Sequence, residues 1–374
     1  MKGKITIFAG LAGFSVFLIF EAFSKKGPDI EKSPEQQVPI TSQGILSRSE
    51  PQIADSADQV SPHHLNACCI QLAQAKDRAA ALALLGDLRD LLEELSPEEA
   101  HHFVASYFAS DKDALLPLPF QIAKGGQLET APTIRTALLD HLGKVNPKAA
   151  EQLSKDLLTT PTHPDEWALA LRNVARIPDS DHDFLRYKTE ELIQNPTWQA
   201  KPSIGYLNAF DVLAYTRSTE STPLLANLVK NKDRQDLAHA SFLTLDRLVQ
   251  TDPVATLSQL INNPEVAKER GTMLANLVAR ADLSQPEEKQ LVRDYLLNTS
   301  RTPEELKAFS GVFPNNSLFH SNTLLTRLGP TQITRNSSSI GAATRTFHAW
   351  DQTPQFRRHS VLLNKILKNL QSTM

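Results

Sequence analysis

Leu139-Asp140-His141-Leu142, followed after a short gap by Asn146-Pro147-Lys148-Ala149, recurs 106 residues later as Leu245-Asp246-Arg247-Leu248 with Asp252-Pro253-Val254-Ala255. In both copies an Asn or Asp stands directly before a proline. A side-chain oxygen at such a position accepts from the free N–H groups of a new helix, and proline suits the first helical position, where no N–H is needed. The leucines three apart upstream belong to a helix that is ending. The stretch therefore writes a sharp turn between antiparallel helices, and writes it twice. A second match, Leu225-Ala226-Asn227-Leu228-Val229 with Leu274-Ala275-Asn276-Leu277-Val278, adds to the self-similarity.

Outward from these junctions, apolar residues three and four apart run from Ser61 onward, cut by Pro or by Asn, Asp, Ser and Thr. Ser96-Pro97-Glu98-Glu99 and Thr302-Pro303-Glu304-Glu305 read as capping boxes that open helices. Alternation of period two is expected only in short runs after Gly311. Between Thr130 and Asn298 the pattern predicts five helix pairs, over 130–158, 164–194, 203–230, 234–262 and 265–298. Their starts lie 34, 39, 31 and 31 residues apart, the length of a helical hairpin that buries its apolar face only by stacking on its neighbours. Through its helix-turn-Asn/Asp-Pro-x-Ala junctions the sequence resembles the HEAT-like α-solenoid superfamily over Ser61 to Gly329. That resemblance implies an all-α fold, a right-handed array of antiparallel helix pairs. It also implies a scaffold that binds other macromolecules along a concave surface, with no shared catalytic residues.

The chain begins differently. Between Lys2, Lys4 and Lys25, Lys26 the run Ile5–Phe20 carries no charge, and it extends to Phe23 if Glu21 is tolerated. At about 1.5 Å per residue, a helix of roughly nineteen residues would span about 28 Å, close to a bilayer's hydrocarbon thickness. The same stretch fits a secretory signal peptide ending at Ala22-Phe23-Ser24. Residues 25–62 then mix Pro28, Pro34, Pro39, Pro51 and Pro62 with Ser, Gln, Glu and Asp, a disordered, semi-rigid tether. A tether has little use on a released protein, so we read residues 1–24 as a retained anchor. It places the body outside the cytoplasm, in the periplasm if the host is bacterial, whereas cleavage would make the protein secreted.

The two cysteines, Cys68 and Cys69, are adjacent, so no internal disulfide framework is expected, although either could join two copies into a homodimer. A net charge of −3 gives no overall reason to expect nucleic acid. That total hides an asymmetry. After Glu305, eight basic residues face the single acid Asp351, which makes +7 there and leaves −10 for residues 1–305. Arg327, Arg335, Arg345, Arg357, Arg358, Lys365 and Lys368 are candidate contacts for a polyanion. The bland alternative is that residues 330–374, ending in an amphipathic helix from Phe356 to Leu370, cap the repeat domain of 63–329.

Few motifs suggest chemistry. Asp179, Asp181, Asp183 and Glu190 have the carboxylate spacing of a calcium loop. The match departs at Phe184, where that loop needs glycine, and at Arg186, where it takes an apolar residue; acids also suit a helix start. His63-His64 and His101-His102 lack a second ligand three or four residues away. HExxH, CxxC, GxSxG and GxxxxGK strings are absent, so neither a catalytic residue nor a cofactor is assigned. The expected function is a membrane-tethered scaffold for a protein partner. The alternatives are an all-helical envelope enzyme acting on a polymer such as peptidoglycan, or polyanion binding through the basic C-terminal segment.

Overall fold

The computed structural model describes residues 62–317, 323–326 and 337–372, all within one compact unit, Asp58–Met374. The hydrophobic segment, nearly all of the tether, Arg327 and Arg335 lie outside the described residues. Among the described residues, no helix is long and apolar enough to cross a membrane.

The described chain is all-helical apart from one small hairpin. Helix α1 (Pro62–Ala73) buries Leu65, Cys68, Cys69 and Leu72 against Leu85, Leu88 and Leu92 of α2 (Arg78–Glu93). Asp77 starts α2 by accepting from the Ala80 amide, 2.9 Å. At the head of α3 (Pro97–Ala109) the capping box forms as its residues dictate: the Glu99 amide donates to the Ser96 hydroxyl, and the Ser96 amide to the Glu99 carboxylate. At the second such motif only half forms. Thr302 accepts from the Glu305 amide, but the Glu305 side chain turns inward to pair with Arg301, both carboxylate and guanidinium only 1% exposed.

Residues 110–133 depart from the expectation of helix. Strands β1 (Gln121–Ile122) and β2 (Leu128–Thr130) pair antiparallel across a turn at Gly125 and Gly126. The signal was present in Leu116, Leu118, Phe120 and Ile122, four buried residues at strict period two. Pro117 and Pro119 between them obscure it by reading as breaks.

The remaining helices are α4 (Ile134–Val145), α5 (Pro147–Leu157), α6 (Pro164–Ala175), α7 (His182–Gln194), α8 (Pro196–Ala200), α9 (Ile204–Ala209), α10 (Asp211–Tyr215) and α11 (Thr222–Val229). After them come α12 (Gln235–Thr251), α13 (Pro253–Ile261), α14 (Pro264–Val278), α15 (Pro286–Leu297), α16 (Pro303–Val312), α17 (Ser337–Asp351) and α18 (Ser360–Gln371). The cap residues of the two repeated junctions have nearly the same backbone angles: Asn146 has φ −138°, ψ 78°, and Asp252 has φ −141°, ψ 79°. Each accepts from an amide three residues on, Ala149 at 3.2 Å and Ala255 at 3.1 Å. The pentapeptide match is different in kind. One copy ends α11 and the other ends α14, the second helix of one expected pair and the first of another, so it does not mark equivalent positions. The expected pair 203–230 is also broken into short pieces. The chain reverses at Arg217, φ 56°, between α10 and α11.

Helix α6 is central. It packs on α4, α5, α7 and α9, and every residue from Asp165 to Ala175 is buried. Beyond α16 the core continues through a file of aromatic rings. Tyr295, Phe309, Phe313, Phe347, Trp350 and Phe356 follow one another at centroid distances of 5.0–5.7 Å. Such pairs contribute about 0.5–1.5 kcal/mol each beyond the area they bury. Helix α18 buries Leu363, Ile366, Leu367 and Leu370 and packs on α16 and α17. The C-terminal helices thus share the hydrophobic core of the rest of the unit.

Candidate functional site

A helix buried on all sides ordinarily carries apolar residues only, yet α6 carries Asp165, Glu166, Arg172 and Asn173. An unpaired buried charge costs several kcal/mol, so each of these must meet a partner. Asp165 accepts from the Ser203 hydroxyl and the Gly205 amide at the head of α9. Glu166 takes a two-pronged contact from Arg135 of α4, 2.8 and 2.9 Å. Arg172, fully buried, pairs with Asp140 of α4.

The Asp140–Arg172 contact is one of three similar rungs. Asp211 pairs with Arg247 at 2.6 Å, and Asp246 pairs with Arg280 through both carboxylate oxygens. The partners stand 32, 36 and 34 residues apart, close to the expected repeat length. Asp140 and Asp246 are the aspartates of the repeated Leu-Asp-x-Leu string. Their arginines, on α6 and just past the end of α14, lay in no recognised motif.

Each rung also grips the main chain of a non-helical segment. At the first, Arg172 donates to the Gly126 carbonyl at 2.9 Å, and Asp140 accepts from the Leu128 amide at 3.1 Å. At the second, Asp211 accepts from the amides of Leu325 and Thr326, both at 2.9 Å, and from the Thr326 hydroxyl. At the third, Arg280 donates to the carbonyls of Asn315 and Ser317, at 3.2 and 2.7 Å. The arginines take carbonyls and the aspartates take amides, so the ladder reads backbone, and side-chain identity scarcely enters. Leu324 is fully buried beside it. Gly126 has φ 79°, and a Cβ there would run into the Leu324 carbonyl, so glycine is required where the two held segments meet.

Arg176 stands one turn beyond Arg172. Its Nη2 donates to the Gly125 carbonyl at 2.8 Å and lies 3.4 Å from that of Leu324. Among the described residues no carboxylate comes within ion-pairing distance of it. Burial, and then repulsion from Arg172, pull its pKa down to about 10, so it stays a cation at neutral pH. Together with Ile177, Pro178, Asp179, Ser180, His182 and Tyr215 it lines a cleft of about 460 Å³.

Of the residues singled out from sequence, Asp179 lies at the cleft, and the others fall elsewhere or are committed. Asp181 caps α7 by accepting from the Phe184 amide at 3.0 Å. Asp183 pairs with Arg186, and Glu190 accepts from the Ser221 hydroxyl at 2.6 Å. Asp179, at φ 58°, is exposed at the cleft. Among the described residues no cluster of three or more His, Cys, Asp or Glu could hold a metal ion, and the calcium-spaced carboxylates do not converge. Cys68 and Cys69 are both buried, which raises both thiol pKa values, that of Cys69 to about 12. Of the basic C-terminal residues, Arg358 donates to the Leu297 carbonyl at the end of α15, 2.7 Å. Arg345, Arg357, Lys365 and Lys368 are exposed. Sequence reasoning missed Arg172, Arg280 and Arg176, and Arg247 stood in the repeated string with no role given to it. The signal was an arginine inside an apolar helical run, as in Trp167-Ala168-Leu169-Ala170-Leu171-Arg172, where charge must be answered from outside the helix.

No protein-family model, no curated protein and no solved structure matches this chain.

Proposed function

We propose that the chain is a membrane-tethered, extracytoplasmic helical-repeat scaffold of HEAT-like α-solenoid type that binds a protein partner. One observation carries the reading: three acid–arginine rungs, buried or nearly so and recurring at repeat spacing, hold non-helical chain segments through main-chain atoms. A surface that grips backbone suits binding an extended stretch of another protein, because main-chain hydrogen bonds supply affinity without demanding one sequence. The hydrophobic segment and proline-punctuated tether support membrane attachment. The test is site-specific photocrosslinking in membranes, with probes at exposed Tyr187, Ile204 and Tyr215 on the helices around α6 and at exposed Ile70 on α1 as a control. A discrete protein adduct from the first group and none from Ile70 is expected. Equal labelling at all four positions, or none, would count against a scaffold.

A second reading attaches to α18. Arg357, Lys365 and Lys368 are exposed, as is Val361 at 87%, and the helix has no acidic residue. Polyanion binding there predicts affinity that falls steeply with salt and is lost in the triple change of these cations to Gln. That change leaves the apolar face of α18 in place, as deleting residues 330–374 would not.

A further inference from the structure

Five arginines in the helical core each take a carboxylate, and a sixth, Arg176, takes none among the described residues. Arg135 has Glu166, Arg247 has Asp211, Arg280 has Asp246 and Arg301 has Glu305. At Asp140 two guanidinium groups lie near one carboxylate: Arg172 takes the ion pair, and Arg176 feels Asp140 only at longer range. Arg176 spends one nitrogen, Nη2, on the carbonyls of Gly125 and Leu324. Its Nε and Nη1 have no partner among the described residues. This surplus cation forms a wall of the cleft of about 460 Å³, a size that ligand sites commonly have.

The other polar groups of the wall add donors. Tyr215 is 39% exposed, and its hydroxyl is bonded to nothing among the described residues. His182, exposed at the head of α7, sets its ring edge-on to Tyr215 at 6.5 Å. Ser180 is already committed to the Ala175 carbonyl. Asp179 is the one acid in the wall and opposes any anion that enters.

We propose that this cleft binds a carboxylate of an extended peptide, anchored by the Arg176 guanidinium and the Tyr215 hydroxyl. The inference rests on the scaffold reading above and names the chemistry of what that scaffold takes. A guanidinium is planar and matches a carboxylate with paired N–H groups. The segments that Arg176 already touches, at Gly125 and Leu324, are main chain, so a peptide entering the cleft would lie beside backbone held by the same ladder. The carboxylate can come from a chain terminus or from an acidic side chain, and both present the same two oxygens.

The experiment uses the purified full-length chain and fluorescence anisotropy of labelled oligoalanine peptides. One ends in a free carboxylate, one is amidated, and one is amidated with a single internal glutamate. Binding of the first and not the second assigns a terminal carboxylate; binding of the third assigns a side chain; either supports the site. Arg176→Gln keeps an N–H donor for Gly125 while removing the charge, and it should weaken binding at least about tenfold, as expected for a hydrogen bond to a charged group. Tyr215→Phe, at a partly exposed position, should weaken it roughly threefold to tenfold. Asp179→Asn has the opposite sign: it removes the opposing charge, keeps a residue that tolerates positive φ, and should tighten binding about twofold to fivefold. Equal affinity for all three peptides, binding of inorganic phosphate in place of carboxylate, or weaker binding in Asp179→Asn would overturn the proposal. A chain that yields the discrete crosslinked partner yet ignores every carboxylate would sink this inference and leave the scaffold reading standing. Carboxylate binding without a crosslinked partner would do the reverse.

Discussion

Asp211→Asn tests whether the ladder holds the 323–326 segment down. Asp211 is 3% exposed and uses its two oxygens for different tasks. Oδ1 accepts from Arg247 and from the Thr326 hydroxyl, while Oδ2 accepts from the amides of Leu325 and Thr326. Asparagine keeps one acceptor and turns the other into a donor. It can serve Arg247 or the two amides, and it leaves the other set facing an N–H group. Losing one charge-assisted set costs about 1.5–3 kcal/mol, and a guanidinium left without its carboxylate raises this toward about 3–5 kcal/mol. We expect urea unfolding, followed by circular dichroism, to show a loss of about 2–4 kcal/mol on that basis. Adding Arg247→Met removes the stranded cation, so the double variant should be less destabilised than the sum of the singles by about 1–3 kcal/mol. Amide exchange separates the two tasks. If the segment is released, exchange at Leu325 and Thr326 quickens by roughly 30-fold for a local loss of about 2 kcal/mol. Stability within about 0.5 kcal/mol of the parent, with exchange unchanged, would refute the argument.

Four other outcomes follow from particular residues. Gly126→Ala should destabilise by more than about 1 kcal/mol, since its φ is positive and its Cβ would meet the Leu324 carbonyl. Gly86→Ala, inside α2 with open space around it, should stabilise by about 0.5–1 kcal/mol, and equal effects of the two in thermal melts would contradict both. His141 and His359 are buried and their pKa values are lowered, in each case chiefly by burial. The unfolded chain therefore takes up protons at these sites first, so stability holds above about pH 6.5 and falls as the pH drops below it. In urea titrations between pH 7.5 and 5.5, His141→Gln should flatten that decline. Cys68 and Cys69 should resist a disulfide-exchange reagent at pH 8 until urea unfolds the chain, because the thiolate is the reactive form and burial disfavours it; prompt labelling of the native protein would show that α1 opens readily. Arg358→Ala should cost about 1 kcal/mol through the lost contact to Leu297, whereas Arg357→Ala, without a partner among the described residues, should change stability by under about 0.5 kcal/mol.

The basic C-terminal segment shows why charge counting and packing answer different questions. Its +7 excess reads as one patch in the sequence. In the fold, Arg358 is used to hold the end of α15, while Arg357, Lys365 and Lys368 remain exposed. The aromatic file through Phe347, Trp350 and Phe356 ties the turn that carries Arg357 and Arg358 into the core, and Leu363, Ile366, Leu367 and Leu370 do the same for α18. Substitutions that spare those rings are therefore the way to test the patch.

What could be read without a structure was local. The all-helical class, the windows of most helices and the Asn-Pro and Asp-Pro junctions follow from side chains acting within a few residues of themselves: a cap oxygen, a proline lacking its N–H, apolar residues at helical spacing. Even the aspartates of two rungs were visible as a repeated string. The tertiary structure alone decided where those aspartates find their arginines, because the partners lie more than thirty residues away and nothing in an apolar run announces which carboxylate will answer Arg172. It decided that Gln121 to Thr130 fold as a hairpin after two prolines, that the Gly126 turn meets Leu324, and that Arg176 is left one carboxylate short beside a cleft. Each of these depends on which buried polar groups are brought face to face, and that balance exists only once the helices have packed.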